Sequence, residues 1–205
     1  GYEMLPDIFL CWDRDSANTV SEWASKINHH EVKVTGYKWP QLWRDGTIEY
    51  SRKKYLQKLS YDKLNILFTM QPSIEISPMI NEMINQFPDE VNWWMRLHPR
   101  QIGSQEHSDL QQLYKNSKNI FVVEATNEPL PAIMINIDLH LTGFSSCIYE
   151  AMLFKVPTIL INPMGKDYYS EAIRSGQAEL CLNPVGLKAI IDRSILSKTK
   201  ATKIF

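Results

Sequence analysis

The sequence predicts an α/β protein built on a doubly wound parallel sheet. From about residue 64 onward, short apolar runs of strand length alternate with segments that have the apolar spacing of helices. Strands that alternate with helices in this way are joined by crossovers and pair in parallel. Hydrophobic residues make up 44% of the chain and charged residues 22%, which is the composition of a globular protein and argues against disorder.

The first 47 residues contain a single strand–helix–strand unit. Apolar runs at 7–12 and 32–36 predict two strands, and the amphipathic stretch 18–27 predicts the helix between them. Residues 37–47 are rich in tryptophan and proline and predict a crossover. A basic helix at 50–59 is predicted to follow it.

The alternation of strands and helices predicts a larger domain over residues 48–205. Strands are predicted at 64–70, 93–97, 120–123, 138–141, 158–161 and 179–182. Helices are predicted between them at 78–87, 106–116, 131–135, 145–154 and 168–175, with a last helix after the final strand. Ligands of such sheets bind at the carboxyl ends of the strands, so polar residues just after each strand are the candidates for a site.

Composition and charge exclude several classes of partner and location. The formal net charge of −1 shows no basic excess for nucleic-acid binding, and no apolar run approaches the ~20 residues of a membrane-spanning helix. Cys11, Cys147 and Cys181 are widely spaced, which predicts reduced thiols in a cytoplasmic protein rather than a zinc site or disulfides. The chain starts at Gly1 without a methionine, so we expect a piece of a longer protein, cytoplasmic or peripheral at the inner membrane.

A Thr-Gly turn with two serines follows the apolar run that ends at residue 141. Thr142-Gly143 closes the strand, and Ser145 and Ser146 stand where an amphipathic helix is predicted to begin. The start of a helix offers unpaired N–H groups and a positive dipole end, which favour an anion such as phosphate. Glu150 lies one turn further along, where its carboxylate can accept sugar hydroxyls. The alternative is a serine that only caps the helix.

His98-Pro99 forms a second candidate constellation at the end of the strand 93–97. A proline that fixes the local φ positions the imidazole, which can pair with a phosphate leaving group. Arg96 and Arg100 flank it. The alternative is a histidine that caps the strand end and meets only backbone.

Two more loops at the predicted binding edge carry polar candidates. Gln71 and Ser73 follow the first strand of the larger domain, where they can contact phosphate or base. Glu124, Asn127 and Glu128 follow the third strand, where a base or ribose would lie. A plain polar turn is the alternative in both places.

The acidic pair in Asp13-Arg14-Asp15 is a rival candidate for a metal site. An Asp-x-Asp after a strand can hold a divalent cation that bridges a nucleotide diphosphate. Two acids in a polar loop are more often simply solvated, and we expect no metal or other cofactor.

Taken together, residues 64–182 resemble the C-terminal, nucleotide-sugar-binding domain of a GT-B glycosyltransferase. Arg96-Leu97-His98-Pro99 and Gly143-Phe144-Ser145-Ser146 resemble the HP and SS motifs of bacterial sialyltransferases, polysialyltransferases and related capsule-building transferases. Residues 32–37 resemble the last strand of an N-terminal GT-B domain. The resemblance therefore implies that 1–47 end such a domain and that 48–205 form the Rossmann-like, C-terminal half.

The resemblance implies a metal-independent transferase that takes a sugar from a nucleotide-sugar donor in the synthesis of surface polysaccharides or glycans. The implied donor is a CMP-sugar by preference, or else a UDP-sugar. In the resembled enzymes the histidine and serines engage the phosphate and cytidine of a CMP-sugar, and the glutamate of UDP-sugar enzymes holds the ribose. The acceptor would be a glycan or a lipid-linked molecule, and the acceptor domain with its general base has no counterpart in this sequence. The implied site has His98 as the catalytic residue, and its nucleotide-sugar-binding residues are Gln71, Pro99, Arg100, Glu124, Thr142, Gly143, Ser145, Ser146 and Glu150.

Two alternatives remain open at this point. Similar doubly wound halves occur in non-hydrolysing UDP-N-acetylglucosamine 2-epimerases and in CDP-glycerol glycerophosphotransferases. The other alternative is a non-catalytic domain that binds a partner through the tryptophan-rich first zone, which holds Trp12, Trp23, Trp39 and Trp43.

Overall fold

The computed structural model describes residues 5–24, 26, 30–48, 62–72 and 77–202, with side chains up to residue 199. The chain divides into two compact units, Gly1–Glu49 and Tyr50–Phe205. That the first unit ends a larger N-terminal domain stays a prediction. The basic helix predicted at 50–59 lies outside the described residues.

The first unit contains a parallel strand pair and two helices. Strands β1 (Ile8–Cys11) and β2 (Glu31–Val34) pair in parallel from Ile8 opposite Glu31 to Cys11 opposite Val34. Helix α1 (Arg14–Ala24) connects them, and α2 (Lys38–Arg44) follows within the segment predicted as a crossover. The predicted strand–helix–strand unit is therefore present.

Helix α1 begins earlier than the predicted residue 18 because Asp13 caps it. The Asp13 carboxylate accepts a hydrogen bond of 2.7 Å from the backbone N–H of Ser16, and this bond holds the pKa of Asp13 below its usual value. The rival reading of Asp13 and Asp15 as metal ligands gains no support, since no group of three potential ligands occurs among the described residues. The expected independence from metal stays a prediction.

The second unit is built on a six-stranded, fully parallel sheet with the order β5-β4-β3-β6-β7-β8. Its strands are β3 (Leu64–Thr69), β4 (Val91–Arg96), β5 (Ile120–Phe121), β6 (Leu139–Thr142), β7 (Thr158–Leu160) and β8 (Ala178–Leu180). The chain runs outward from β3 to β5 and then returns to the other side of β3, so the strand order reverses between β3 and β6. The predicted doubly wound, Rossmann-like α/β fold is confirmed.

Helices connect and cover the strands of this sheet. They are α3 (Pro78–Gln86), α4 (Gln105–Tyr114), α5 (Val122–Asn127), α6 (Leu130–Met134), α7 (Ile148–Leu153), α8 (Met164–Tyr168), α9 (Ser170–Arg174) and α10 (Pro184–Thr202). The largest core cluster joins strand residues such as Ile66 and Trp93 to Ile80 and Met83 of α3 and Ile191 of α10, all out of contact with solvent. Within the described part of the chain, none of the helices has the length and apolar content that a membrane span requires.

The predicted strand 120–123 is wrong in its second half. Strand β5 ends at Phe121, and residues 122–127 form helix α5. The guanidinium of Arg96 donates hydrogen bonds of 2.6 Å to the carbonyl of Ala125 and 2.8 Å to that of Glu128, which satisfy carbonyls at the end of this helix. This tertiary contact outweighs the strand preference of the two valines after Phe121.

Two predicted helices also differ from the structure. Regular helix α7 begins at Ile148 rather than at residue 145, because the first N–H groups bond three residues back, from Ile148 to Ser145 at 3.2 Å and from Tyr149 to Ser146 at 3.0 Å. At six residues, α7 also carries a weaker dipole than the predicted helix would. The predicted helix 168–175 is two short helices that meet at Tyr169.

His140 lies at the centre of the sheet with no exposed surface. Its Nε2 is 2.9 Å from the Thr69 hydroxyl and its Nδ1 is 3.1 Å from the Thr158 hydroxyl, so its ring joins β6 to both neighbouring strands. Burial lowers the pKa of His140 to about 3 because the charged imidazolium would lose its hydration. The ring is therefore neutral in the folded protein.

We expect acid to destabilise the second unit through His140. Between the ordinary pKa of 6.5 and the folded value of about 3, the unfolded chain binds a proton that the folded chain does not. The free energy of unfolding is therefore undiminished by His140 above pH 6.5 and falls as the pH drops from 6.5 toward 3. The slope of this fall is up to about 1.4 kcal/mol per pH unit. Urea unfolding across this range measures the slope.

A His140→Gln variant is the control for this prediction, because it lacks the titrating ring and keeps all carboxylates. Its stability should depend less steeply on pH between 6.5 and 3. Equal slopes for the two proteins would contradict the assignment to His140.

Candidate functional site

The carboxyl ends of four adjacent strands surround a cleft of about 480 Å³. The loops after β3, β4, β6 and β7 contribute its nine lining residues, which are Gln71, Pro72, His98, Arg100, Phe144, Ser145, Ser146, Tyr168 and Tyr169. The cleft spans the point between β3 and β6 where the strand order reverses. That is the place where doubly wound sheets bind their ligands.

The Thr142 hydroxyl fixes the turn that carries the two serines. It donates a hydrogen bond of 3.2 Å to the carbonyl of Thr69 in β3 and accepts one of 3.1 Å from the N–H of Ser145. The Ser145 hydroxyl in turn accepts from the N–H of Cys147 at 3.3 Å. Ser145 is buried while Ser146 is exposed, so the two hydroxyls occupy different depths of the cleft.

His98 is held by the short 3₁₀ turn Pro99–Gln101 that follows it. Its Nδ1 accepts a hydrogen bond of 3.2 Å from the N–H of Arg100, and its own N–H donates to the Gln101 amide oxygen at 2.9 Å. Because Nδ1 accepts, the neutral ring carries its proton on Nε2. The imidazole therefore caps the turn with one nitrogen and keeps the other as a hydrogen-bond donor.

The charge of the cleft favours an anion. Arg100 contributes a guanidinium and His98 an N–H donor, and none of the nine lining residues is acidic. Ser145 and Ser146 add two hydroxyl donors to the same cavity. Charge-assisted hydrogen bonds of this kind are the usual means by which proteins bind phosphate.

Aromatic side chains form another part of the cleft lining. The rings of Phe144 and Tyr168 stack with centroids 5.9 Å apart and an angle of 27°. The Tyr169 hydroxyl donates to the carbonyl of Phe144 at 3.1 Å, and burial raises the pKa of Tyr169 to about 12, so this donor stays protonated. Tyr168 is 63% exposed and offers a free ring surface to a ligand.

Glycine at position 165 allows helix α8 to approach the serine turn. A Cβ on Gly165 would lie 2.7 Å from the carbonyl oxygen of Gly143, closer than any real contact. A Cβ on Gly143 would lie 3.5 Å from the side chain of Asn162 and 3.8 Å from that of Gln71. The packing of the turn against α8 therefore depends on Gly165, whereas a Cβ at position 143 would make only ordinary contacts.

The structure brings five of the predicted site residues into one cleft, namely Gln71, His98, Arg100, Ser145 and Ser146. Three further ones lie next to it without lining it. Pro99 is exposed in the turn after His98, whereas Thr142 and Gly143 are buried in the turn that carries the serines, where Thr142 acts through its hydroxyl.

The remaining two predicted site residues, Glu124 and Glu150, do not line this cleft either. Glu124 was expected just after a strand, but it lies within α5 and lines a different cavity of about 500 Å³ beside β5. Burial lowers the pKa of the half-buried Arg96 guanidinium, and electrostatic interactions with Cys147 and Glu150 oppose this shift. A role for Glu150 in holding a ribose stays a prediction.

The aromatic residues of the cleft were missed by the sequence reasoning. Tyr168 and Tyr169 follow a strand at the binding edge, which is the signal that identified the other loops. They were instead assigned to a predicted helix over 168–175. The break between α8 and α9 at Tyr169 is what turns both rings toward the cleft.

Comparison with solved structures finds several of the same fold. The wall teichoic acid polymerase TagF superposes with a TM-score of 0.64 at 14% identity, covering 95% of this chain and 51% of its own. MnaA from S. aureus with UDP gives 0.59 at 15% identity, covering 96% and 50%. UDP-GlcNAc 2-epimerase from Methanocaldococcus jannaschii with UDP-GlcNAc and UDP gives 0.60 at 17% identity, covering 92% and 54%.

These likenesses show that the chain has a GT-B-type fold. The chain spans about half the length of each of these proteins. No family model matches the sequence, and no curated protein matches it either. Membership in the sialyltransferases or in the capsule-building transferases is not shown.

We expect the Thr142 hydroxyl to be required for the geometry of the serine turn. Thr142→Val keeps the shape of the side chain but leaves the Ser145 N–H without its acceptor, at a cost of about 1–3 kcal/mol in the free energy of unfolding. Thr142→Ser retains the hydroxyl and should lose much less. Chemical denaturation of both variants measures the difference, and a larger loss in Thr142→Ser than in Thr142→Val would mean that packing of the methyl group matters rather than the hydrogen bonds.

Proposed function

We propose that this chain is the donor-binding part of a GT-B enzyme that transfers a sugar from a nucleotide-sugar. One observation carries the proposal. The Nε2 donor of His98, the hydroxyls of Ser145 and Ser146 and the cation of Arg100 line one cleft at the sheet's reversal point, with no acidic residue among them. Phosphate is the ligand group that matches this combination.

The same groups have a chemical role in transfer. When the bond between the sugar and the nucleotide breaks, negative charge develops on the leaving phosphate. Donors that are already oriented stabilise this charge without reorganisation. His98 and Ser145 meet this condition, since each is held in place by hydrogen bonds to backbone N–H groups. The acceptor hydroxyl also requires a general base, which we place outside this chain.

Transfer without a metal is part of this proposal. A divalent cation that bridges a diphosphate needs carboxylate or other oxygen ligands, and the described residues of the cleft lining include no carboxylate. The positive charge comes instead from Arg100, assisted by His98. An acceptor of the glycan or lipid-linked class would approach from the solvent side of the same cleft.

The identity of the donor is a finer part of the proposal. The HP and SS motifs favour a CMP-sugar. The named ligands of the structural neighbours are UDP, UDP-GlcNAc and, for a histidine variant of TagF, CDPG. All of these ligands carry phosphate, the group that we propose the cleft binds. Titration with cytidine and uridine nucleotides is needed to identify the nucleobase of the donor.

A second candidate function follows from the neighbours themselves. Two of them are described as UDP-GlcNAc 2-epimerases, and TagF is described as a polymerase of wall teichoic acid. Product analysis with the full-length protein separates the candidates. Inversion of a sugar stereocentre indicates an epimerase, a sugar joined to an acceptor indicates transfer, and binding without turnover indicates a non-catalytic domain.

We expect isothermal titration to detect binding of at least one of CMP, CDP and UDP. His98→Asn should weaken that binding about tenfold, which corresponds to about 1.4 kcal/mol, because it removes the Nε2 donor. Its stability should be unchanged, since asparagine is also a good cap for the turn after residue 98. His98→Ala should lose both affinity and stability.

His107→Asn is the matched control for these variants. His107 also accepts a hydrogen bond from a backbone N–H, that of Gly103, but it lies outside the cleft. Its replacement should leave nucleotide affinity unchanged. Absence of heat with all three nucleotides, or full affinity in His98→Asn, would overturn the proposed function.

A further inference from the structure

Gln71 is a buried residue of the cleft with an unused hydrogen-bond acceptor. Only 8% of its surface is exposed, and it lines the cleft together with His98 and the two serines. Its amide oxygen Oε1 is fully buried and has no hydrogen-bond partner among the described residues. Buried amide oxygens are normally paired, so this one requires an explanation.

This unpaired oxygen differs from the other unpaired buried atoms of the described chain. Among these, the indole N–H of Trp93 and the amide nitrogen of Asn136 are donors and belong to residues outside the cleft. Gln71 therefore combines an unused acceptor with a place in the candidate site. An unpaired polar group persists at a binding site when a ligand completes it.

We propose that the amide oxygen of Gln71 accepts a hydrogen bond from a sugar hydroxyl of the bound ligand and so selects a glycosylated or ribosylated phosphate over phosphate alone. The proposal rests on nucleotide binding in this cleft. The ionised oxygens of a phosphate only accept hydrogen bonds, whereas every sugar hydroxyl can donate one to the Gln71 oxygen. Gln71 would thus determine specificity for the sugar that is attached to the phosphate.

The position of Gln71 identifies which part of the ligand it meets. Its Cγ lies next to Gly143, two residues before Ser145, so it is close to the serine turn. Groups bonded directly to a nucleotide phosphate are the ribose and the transferred sugar, while the base lies beyond the ribose. A hydroxyl of one of these two sugars is therefore the group within reach.

Turning the oxygen toward the ligand breaks no existing bond of that oxygen. The terminal torsion of a glutamine has a broad energy minimum, so the amide rotates at little cost. Since Oε1 has no partner among the described residues, the oxygen itself gives up no hydrogen bond when the amide rotates. A ligand hydroxyl would then pair an acceptor that the free protein leaves unpaired.

Gln71→Met tests the proposal because methionine has a similar length and no polar atom. A residue with a purely structural role would lose stability on substitution. We expect instead that the midpoint of urea unfolding stays equal or rises, since the unpaired acceptor is gone, while affinity for UDP-GlcNAc falls about tenfold. Gln112→Met, on the exposed face of α4, is the matched control and should change neither quantity.

Three ligands distinguish the source of the hydroxyl. Titrations use UDP-GlcNAc, UDP and 2′,3′-dideoxy-UDP, or CDP and 2′,3′-dideoxy-CDP if only cytidine nucleotides bind. A loss in Gln71→Met that is seen with the ribonucleotide and disappears with the dideoxy form assigns the ribose. A loss confined to UDP-GlcNAc assigns the transferred sugar.

The outcomes separate this inference from the proposed function. If the unsubstituted chain binds none of the nucleotides, the proposed function fails. If it binds them and Gln71→Met binds equally well, the inference alone is overturned. An equal loss with all ligands, including the dideoxy forms, or a loss of stability in Gln71→Met, also overturns the role of Gln71 as a hydroxyl acceptor.

Discussion

The pairing of β3 with β6 is the constraint on which the candidate site depends. These strands are separated in the chain by β4 and β5, yet they lie side by side and reverse the strand order there. Hydrogen bonds from side chains reinforce the pair, through His140 to Thr69 and through Thr142 to the Thr69 carbonyl. Because both strands end at the same edge, the Gln71 loop and the serine turn meet across one cleft.

The cleft is preorganised by bonds between side chains and backbone. His98 is fixed by the turn that follows it, Ser145 by the Thr142 hydroxyl, and Tyr169 by the carbonyl of Phe144. A site assembled in this way has its donors in place before a ligand arrives, so binding need not order them. The predicted dipole of a long helix is a smaller contributor, since α7 has only six residues.

Most of the sheet could be predicted from the sequence because parallel strands covered on both faces are continuous apolar runs. The end of strand β5 and the start of α7 could not, since they are decided by tertiary contacts. Arg96 closes the helix that replaces the end of β5, and Thr142 holds the turn before α7. The serines, His98 and Gln71 are predictable as site residues because they follow strand ends. Tyr168 is not, because the sequence predicts it at the start of a helix over 168–175 rather than in the cleft.

The surfaces of the cleft argue for a ligand larger than a phosphate ion. Arg100, His98 and the serines would suffice to bind a phosphate, whereas a phosphate alone would leave the exposed ring of Tyr168 and the unpaired oxygen of Gln71 without a contact. Its volume of about 480 Å³ lies in the range of about 300–1,000 Å³ that is typical of small-molecule sites. A charged group joined to a ring that carries hydroxyls would engage all of these surfaces at once, and a phosphorylated sugar is such a molecule.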